Sequence, residues 1–293
     1  MTELKGVGVA LVTPFQENGK VDFAGLEKLI RHVSAGVHFL VVMGTTGESV
    51  TLSEEEQMAV LDFILEINAG KLPVVFGIGG SDTRAVGERM RSFSKKDVAA
   101  FLTASPAYNK PTQEGIFRHY KHLSEVSPLP IILYNVPSRT GSNVLPETVF
   151  RIAAETTRII GIKEAAGSIE QVMELAAGLP EDFLLLSGDD PLLVKHMACG
   201  GHGIISVVAN AYPKRFRAIF ETCVANDYDK AGKLHSQVIP LINDLFAEGN
   251  PGGIKETLRH LGICEHHMRL PLYPVSKDHS QKLYRHIAEL GEQ

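Results

Sequence analysis

Along the first 225 residues, eight short apolar runs alternate with eight stretches of helical period. The apolar runs occupy 8–15, 39–43, 73–78, 98–104, 130–136, 159–164, 183–187 and 203–208. The helical stretches lie near 22–35, 53–69, 83–95, 112–126, 145–156, 168–178, 190–199 and 212–225. Start signals accompany them, as in Ser53-Glu54-Glu55-Glu56, where Ser53 can cap and Glu56 can close a capping box. Strands that are apolar throughout, rather than alternating, suit a parallel sheet covered on its outer face by helices. An open doubly wound sheet could use the same units, but eight of them within about 225 residues favour closure. Beyond residue 225 the strand runs stop, and only helical patterns remain, at 228–246, 252–261 and 279–290. The expected fold is therefore α/β: a (β/α)8 TIM barrel over 1–225 and a C-terminal helical extension over 226–293. No low-complexity linker separates the two parts, so the extension is expected to pack on the barrel.

Composition narrows the class of function. With 44% hydrophobic and 22% charged residues the chain is not of the disordered type. A formal charge of −5 supplies no general footprint for nucleic acid or an anionic membrane. Cys199, Cys223 and Cys264 form no CxxC pair and read as reduced, buried thiols. The opening Met1-Thr2-Glu3-Leu4-Lys5-Gly6 lacks the features of a signal peptide. No apolar segment reaches the ~18 residues that would span a bilayer. A cytoplasmic location is expected.

In a barrel of this kind, chemistry collects where the strands end at their C-terminal side. The second run is followed by Gly44-Thr45-Thr46-Gly47-Glu48-Ser49, and the fourth by Ser105-Pro106-Ala107-Tyr108-Asn109-Lys110. The fifth ends in Tyr134-Asn135-Val136-Pro137-Ser138-Arg139-Thr140, the sixth in Lys163-Glu164, the seventh in Ser187-Gly188-Asp189-Asp190 and the eighth in Ser206 to Asn210. Period-two alternation directs Ile160 and Ile162 to the helices, and Gly161 and Lys163 to the axis. A lysine aimed into a barrel is costly unless it is paired or its pKa falls through desolvation. A deprotonated lysine is an amine nucleophile suited to forming a Schiff base with a carbonyl substrate. Gly161 would leave room beside it for a small molecule. The alternative is that Lys163 reaches the rim and pairs with Glu164 or Asp189.

Tyr134, one strand away, could pass protons to and from a carbinolamine, or could simply pack. Thr45 and Thr46, in a glycine-bounded turn, offer hydroxyl and N–H groups of the kind that bind a carboxylate, or could serve a tight turn alone. Arg139 carries a planar fork suited to a second carboxylate, unless it forms a surface ion pair. Gly77-Ile78-Gly79-Gly80-Ser81-Asp82 lacks the last glycine of GxGxxG, and GxxxxGK[ST] is absent, so no nucleotide motif is present. His266-His267 beside Cys264 has no second ligand cluster and reads as a solvated tail, and His202 as a turn residue. No metal is expected.

Taken together, Gly44–Ser49, the 134–140 segment and Gly161-Ile162-Lys163-Glu164 resemble the dihydrodipicolinate synthase / N-acetylneuraminate lyase superfamily. The resemblance extends through Gly200-Gly201-His202-Gly203-Ile204-Ile205-Ser206 to the late Asn250-Pro251, and so covers essentially the whole chain. It implies an imine between Lys163 and pyruvate, with no cofactor beyond that covalent link and no metal. It implies a proton relay of Tyr134, Thr46 and Tyr108, with Tyr108 entering the site of a partner subunit. Thr45 and Thr46, with the backbone at Ile205, would hold the pyruvate carboxylate, and Arg139 the carboxylate of L-aspartate 4-semialdehyde. The implied reaction condenses the two substrates to 4-hydroxy-tetrahydrodipicolinate, in lysine and diaminopimelate biosynthesis, within a homotetramer built from tight dimers. Sialic-acid and 2-keto-3-deoxy sugar-acid lyases share the lysine, the tyrosine and the Gly-Thr-Thr-Gly run, but usually lack an arginine at the position of Arg139. The non-enzymatic alternative is a degenerate pyruvate-binding barrel, which would need a broken site. Ala107-Tyr108 stands where the family often has two tyrosines, Glu54-Glu55-Glu56-Gln57 where lysine-inhibited members carry histidines, and Ser81 where they tend to carry asparagine. Feedback inhibition by L-lysine is therefore expected to be weak or absent.

Overall fold

The computed structural model describes residues 2–94 and 97–291. Eight parallel strands close into a barrel in chain order. They are β1 (Gly6–Ala10), β2 (Phe39–Val42), β3 (Val74–Gly77), β4 (Ala100–Ala104), β5 (Ile131–Asn135), β6 (Ile159–Glu164), β7 (Leu184–Ser187) and β8 (Gly203–Ser206). The helices on their outer face are α1 (Phe23–Val33), α2 (Glu54–Asn68), α3 (Thr83–Arg91), α4 (Gln113–Val126), then, after the short α5 (Pro137–Thr140) at the mouth, α6 (Pro146–Glu155), α7 (Ile169–Gly178), α8 (Leu193–Ala198) and α9 (Pro213–Val224). Then come α10 (Tyr228–Ala247), α11 (Gly252–His260) and α12 (Lys277–Leu290). The (β/α)8 barrel with C-terminal helices is the expected architecture. The final position of the expected 83–95 helix lies outside the described residues, as do Met1, Glu292 and Gln293 at the ends of the two expected parts.

The strands are apolar throughout because both of their faces are buried. Val9, Leu40, Val74, Leu133, Ile162 and Ile204 pack outward against helices, in one cluster with Leu29, Leu61 and Leu175. Ala10, Val41, Val75, Ile132, Leu186 and Ile205 fill the barrel interior. Each large aliphatic side chain contributes about 1.5–3 kcal/mol by its burial on either face. Hydrophobicity alone therefore specifies register weakly, and shape supplies the rest. Gly8 pairs with Phe39 and Gly161 with Leu184 across adjacent strands. A Cβ on Gly8 would lie 2.2 Å from the Phe39 ring, and one on Gly161 would lie 2.5 Å from the Leu184 Cβ. A one-residue slip would drive a side chain into each of those rings or branches.

Three local readings need correction. The first strand is β1, five residues of Gly6–Ala10, rather than 8–15. Pro14 has no N–H for a ladder, and Phe15 instead bridges back to Val21. Ile160 does not face the helices. β5 pairs Ile131 with Ile159 but Ile132 with Gly161, so Ile160 is the extra residue of a bulge and packs against the interior cluster. The space beside Gly161 belongs to Leu184 rather than to a substrate.

The C-terminal helices cover α8 and α9. Val238, Leu241, Ile242 and Leu245 of α10 are buried. α11 is buried from Gly252 to Leu258, Lys255 and Glu256 included. Glu256 accepts hydrogen bonds from Arg259, Ser280, Tyr284 and His266, which tie α11 to α12 and to the segment before it. His266 is thus a packed residue, and the solvated-tail reading of that stretch does not hold. All three cysteines are free, with Cys223 and Cys264 buried and Cys199 half-buried. Among the described residues, no helix is long and apolar enough to cross a membrane.

Candidate active site

Tyr134 and Lys163 are paired positions on adjacent strands, as are Asn135 and Glu164. The pleat therefore sends Tyr134 and Lys163 to the axis and Asn135 and Glu164 toward the helices. Glu164 accepts from Asn135 Nδ2 at 3.0 Å, from Gln171 Nε2 at 2.9 Å and from the Ala166 N–H at 2.6 Å. Burial pushes its carboxyl above the ordinary range, with the Asn135 and Gln171 donors opposing the rise. It is not a partner for Lys163.

Asp189 forms no ion pair with the lysine either; its carboxylate accepts the Gly167 N–H at 3.1 Å. Among the described residues, no carboxylate comes within 4.0 Å of the lysine amine. Lys163 is only 6% exposed, and its Nζ lies 4.2 Å from the centroid of the Tyr134 ring. Room for its stem comes from Gly188, where a Cβ would approach the Lys163 Cε to 3.0 Å. Burial raises the Asp189 carboxyl, with the Gly167 N–H and the Lys163 charge acting against it. The same effect pushes Asp190 up to about 6. Asp190 accepts from the Ser206 hydroxyl and from the Val207 N–H, which secures the end of β8.

Lys163, Tyr134, Thr45, Thr46, Arg139 and Asp189 line one cavity of about 150 Å³ at the C-terminal ends of the strands. Thr45 and Thr46 lie on a single turn of 3-10 helix, Thr45–Gly47, that leaves β2. The Thr13 hydroxyl donates to the Gly47 carbonyl at 2.7 Å and fastens that turn to the chain beyond β1. Thr46 is buried, and its hydroxyl accepts from Asn250 Nδ2 at 3.0 Å. That contact leaves the Thr46 proton free to be donated elsewhere. Arg139 sits on α5, a short helix the periodicity did not reveal, and is exposed at the rim with no ion pair to a described acidic residue. A second cavity of about 530 Å³ adjoins the first across Thr45, Tyr134 and Arg139.

Two expected site residues stand apart. Tyr108 is 96% exposed at φ 74° and lines neither cavity. Its N–H donates to the Thr140 carbonyl at 3.3 Å. Ile205 is fully buried among the interior side chains and pairs with Gly8, beneath the cavity rather than on its wall. Other wall residues were not legible as such. Phe246 comes from α10 and Asn250 from the turn between α10 and α11, roughly 200 positions from the loop that the asparagine contacts. Only the asparagine carried a signal, as part of the resemblance at Asn250-Pro251. Among the described residues, no group of three or more His, Cys, Asp or Glu side chains is placed to hold a metal ion. The chemistry available here is that of an enclosed amine beside a phenol, with hydroxyls and a guanidinium around a small polar chamber.

Comparison with known proteins bears on the same assignment. The Dihydrodipicolinate synthetase family matches residues 3–290. The 4-hydroxy-tetrahydrodipicolinate synthase of Flavobacterium psychrophilum is 47% identical over 279 residues, 95% of each chain. That of Parabacteroides distasonis is 43% identical over 93% of this chain and 92% of its own. Among solved structures, dihydrodipicolinate synthase from Thermotoga maritima superposes with a TM-score of 0.95 at 40% identity, covering 97% of this chain and 98% of that one. The chloride-inhibited enzyme from Acinetobacter baumannii, complexed with pyruvate, gives 0.94 at 37% identity and 98% coverage of both. Matched almost from end to end in sequence and fold, the chain belongs to the dihydrodipicolinate synthetase family.

Proposed function

We propose that this protein is a 4-hydroxy-tetrahydrodipicolinate synthase, a lyase that condenses pyruvate with L-aspartate 4-semialdehyde through an imine on Lys163. The observation that carries the assignment of the lysine is its enclosure: a buried amine with no carboxylate within 4.0 Å among the described residues, stacked on a phenol in a small chamber. The Lys163 amine adds to the C2 carbonyl of pyruvate to give a carbinolamine. Loss of water then leaves the imine. Tyr134 and Thr46 pass the protons that these steps require, with Tyr108 of a neighbouring subunit completing the relay. Thr45 and Thr46 hold the pyruvate carboxylate, with the backbone at Ile205 beneath. Loss of a C3 proton converts the imine to an enamine, whose carbon attacks the aldehyde. The amino group of the semialdehyde then attacks the imine carbon, closing the ring and returning Lys163 as a free amine. Splitting one condensation into these stages is the benefit of covalent amine catalysis. Arg139 receives the carboxylate of the semialdehyde, a short charged acceptor that suits a lone guanidinium.

An almost fully exposed Tyr108 supports an assembly of at least two subunits, and a homotetramer is the proposed state. Sedimentation velocity at micromolar concentration tests it, and a stable monomer would exclude the shared relay. The imine is tested by incubating the protein with pyruvate, reducing with borohydride and weighing both the intact chain and the peptide containing Lys163. One reduced pyruvate on that lysine is the expected result. Folded protein with no adduct at saturating pyruvate would discard the mechanism.

A further inference from the structure

The turn that carries Thr45 and Thr46 is held from behind by a buried ion pair. Glu48 and Lys255 have fully buried side chains, with Lys255 Nζ 2.5 Å from Glu48 Oε1. The second carboxylate oxygen accepts the Arg269 N–H at 3.3 Å, and Lys255 also donates to the His267 carbonyl at 2.8 Å. The lysine amine and the Arg269 guanidinium lie over the Phe15 ring, at 4.4 and 4.7 Å. Both carboxylate oxygens of Glu48 are therefore fixed by chain from the C-terminal extension, more than 200 residues away.

Glu48 itself has φ 55°, in the left-handed region that a non-glycine residue seldom occupies. Its N–H closes the threonine turn by donating to the Thr45 carbonyl at 3.1 Å. Such a conformation persists only where the surroundings over-determine it. A buried ion pair is a poor source of net stability, because desolvation offsets the attraction and an apolar pair would often serve as well. What this pair supplies is direction: the Glu48 side chain has one place to go, and the backbone of the turn follows it. Asn250, from the same extension, fastens the Thr46 hydroxyl from the other side at 3.0 Å.

We propose that Glu48 and Lys255 are positioning residues that set how Thr45 and Thr46 face the cavity, so that the C-terminal extension completes the pyruvate site. The proposal rests on the assignment of those threonines to the pyruvate carboxylate. The test is the double variant Glu48→Gln/Lys255→Met, which leaves no unpaired buried charge, with its fold checked by circular dichroism and thermal melting. The expected result is a rise of about tenfold or more in KM for pyruvate, with the borohydride adduct still formed on Lys163 at saturating pyruvate. Placed in a Thr45→Ala/Thr46→Ala background, the double variant should raise KM no further, since the pair acts through those hydroxyls. If the double variant does not fold, Glu48→Gln/Lys255→Gln, which also leaves no unpaired buried charge, is put through the same two comparisons. A folded variant whose KM stays within about twofold of wild type, or a penalty that multiplies with that of the threonine variants, overturns the proposal alone. Wild-type protein that forms no adduct overturns the Schiff-base assignment and this proposal with it.

Discussion

Tyr134 and Lys163 face one another because they are register partners on adjacent strands, and the amine rests 4.2 Å from the ring centroid. In the proposed mechanism, a proton donor at that position acts on every addition and elimination at the imine carbon. Tyr134→Phe is accordingly expected to lower kcat by about 10²–10⁴, while slow borohydride trapping on Lys163 persists. The task proposed for Arg139, at the rim, is separate. A charge-assisted hydrogen bond to a carboxylate is worth about 1.5–3 kcal/mol, so Arg139→Ala is expected to reduce kcat/KM for the semialdehyde roughly 10- to 150-fold. KM for pyruvate, measured at fixed semialdehyde, should change little. Both residue types and their placement at strand ends were visible in the sequence. The outcome for Lys163 was not, because Glu164 and Asp189 were equally available partners until Asn135, Gln171 and Gly167 claimed them.

At the scale of elements, α2 shows how one helix start serves two purposes. Ser53 and Glu56 form the capping box that their spacing predicts, with the Glu56 N–H donating to Ser53 Oγ at 3.2 Å and the Ser53 N–H to Glu56 at 3.0 Å. The same carboxylate takes two hydrogen bonds from the Arg269 guanidinium, at 2.7 and 2.5 Å, which no local pattern announces. Arg269 holds the Glu56 carboxyl at about 2, below its ordinary 4.5, against the effect of burial. A depressed carboxyl contributes stability that is present above 4.5 and is lost as the pH falls through about 2. Glu56→Gln is therefore expected to lower Tm by about 1–3 °C at neutral pH, since the pair is partly exposed. Melting curves should show that difference narrowing as the pH drops below 4.5. The bulge at Ile160 is the complementary case. Period two predicts alternation through β6, and only the pairing with β5 reveals the extra residue.

Across the whole molecule, the barrel presents its strand ends to loops, and the C-terminal helices return to close one side of the site. The larger cavity beside the active site illustrates what the loops decide. Gln57, Ser81, Arg89 and Ala107 are on its wall, and Arg89 is paired with Glu54 at 3.0 Å. No aromatic side chain stands at Ala107, so the wall offers a guest no aromatic face there. Millimolar L-lysine is expected to leave the condensation rate essentially unchanged in a coupled assay, and submillimolar inhibition would contradict this. Eight apolar runs at even spacing pointed to a parallel sheet, because only a sheet buried on both faces tolerates strands without alternation, and their number within about 225 residues favoured closure into a barrel. The residues at the ends of those runs were enough to nominate Lys163, Tyr134, Thr45, Thr46 and Arg139, because the fold collects strand ends at one mouth. What tertiary structure alone decided was pairing between distant segments. Asn250 on Thr46, Lys255 on Glu48 and Arg269 on Glu56 join the extension to the loop after β2 and to the start of α2. Local periodicity reports which face a residue presents, whereas contacts across more than 200 positions are settled only when the closed barrel and its covering helices fix the geometry between them.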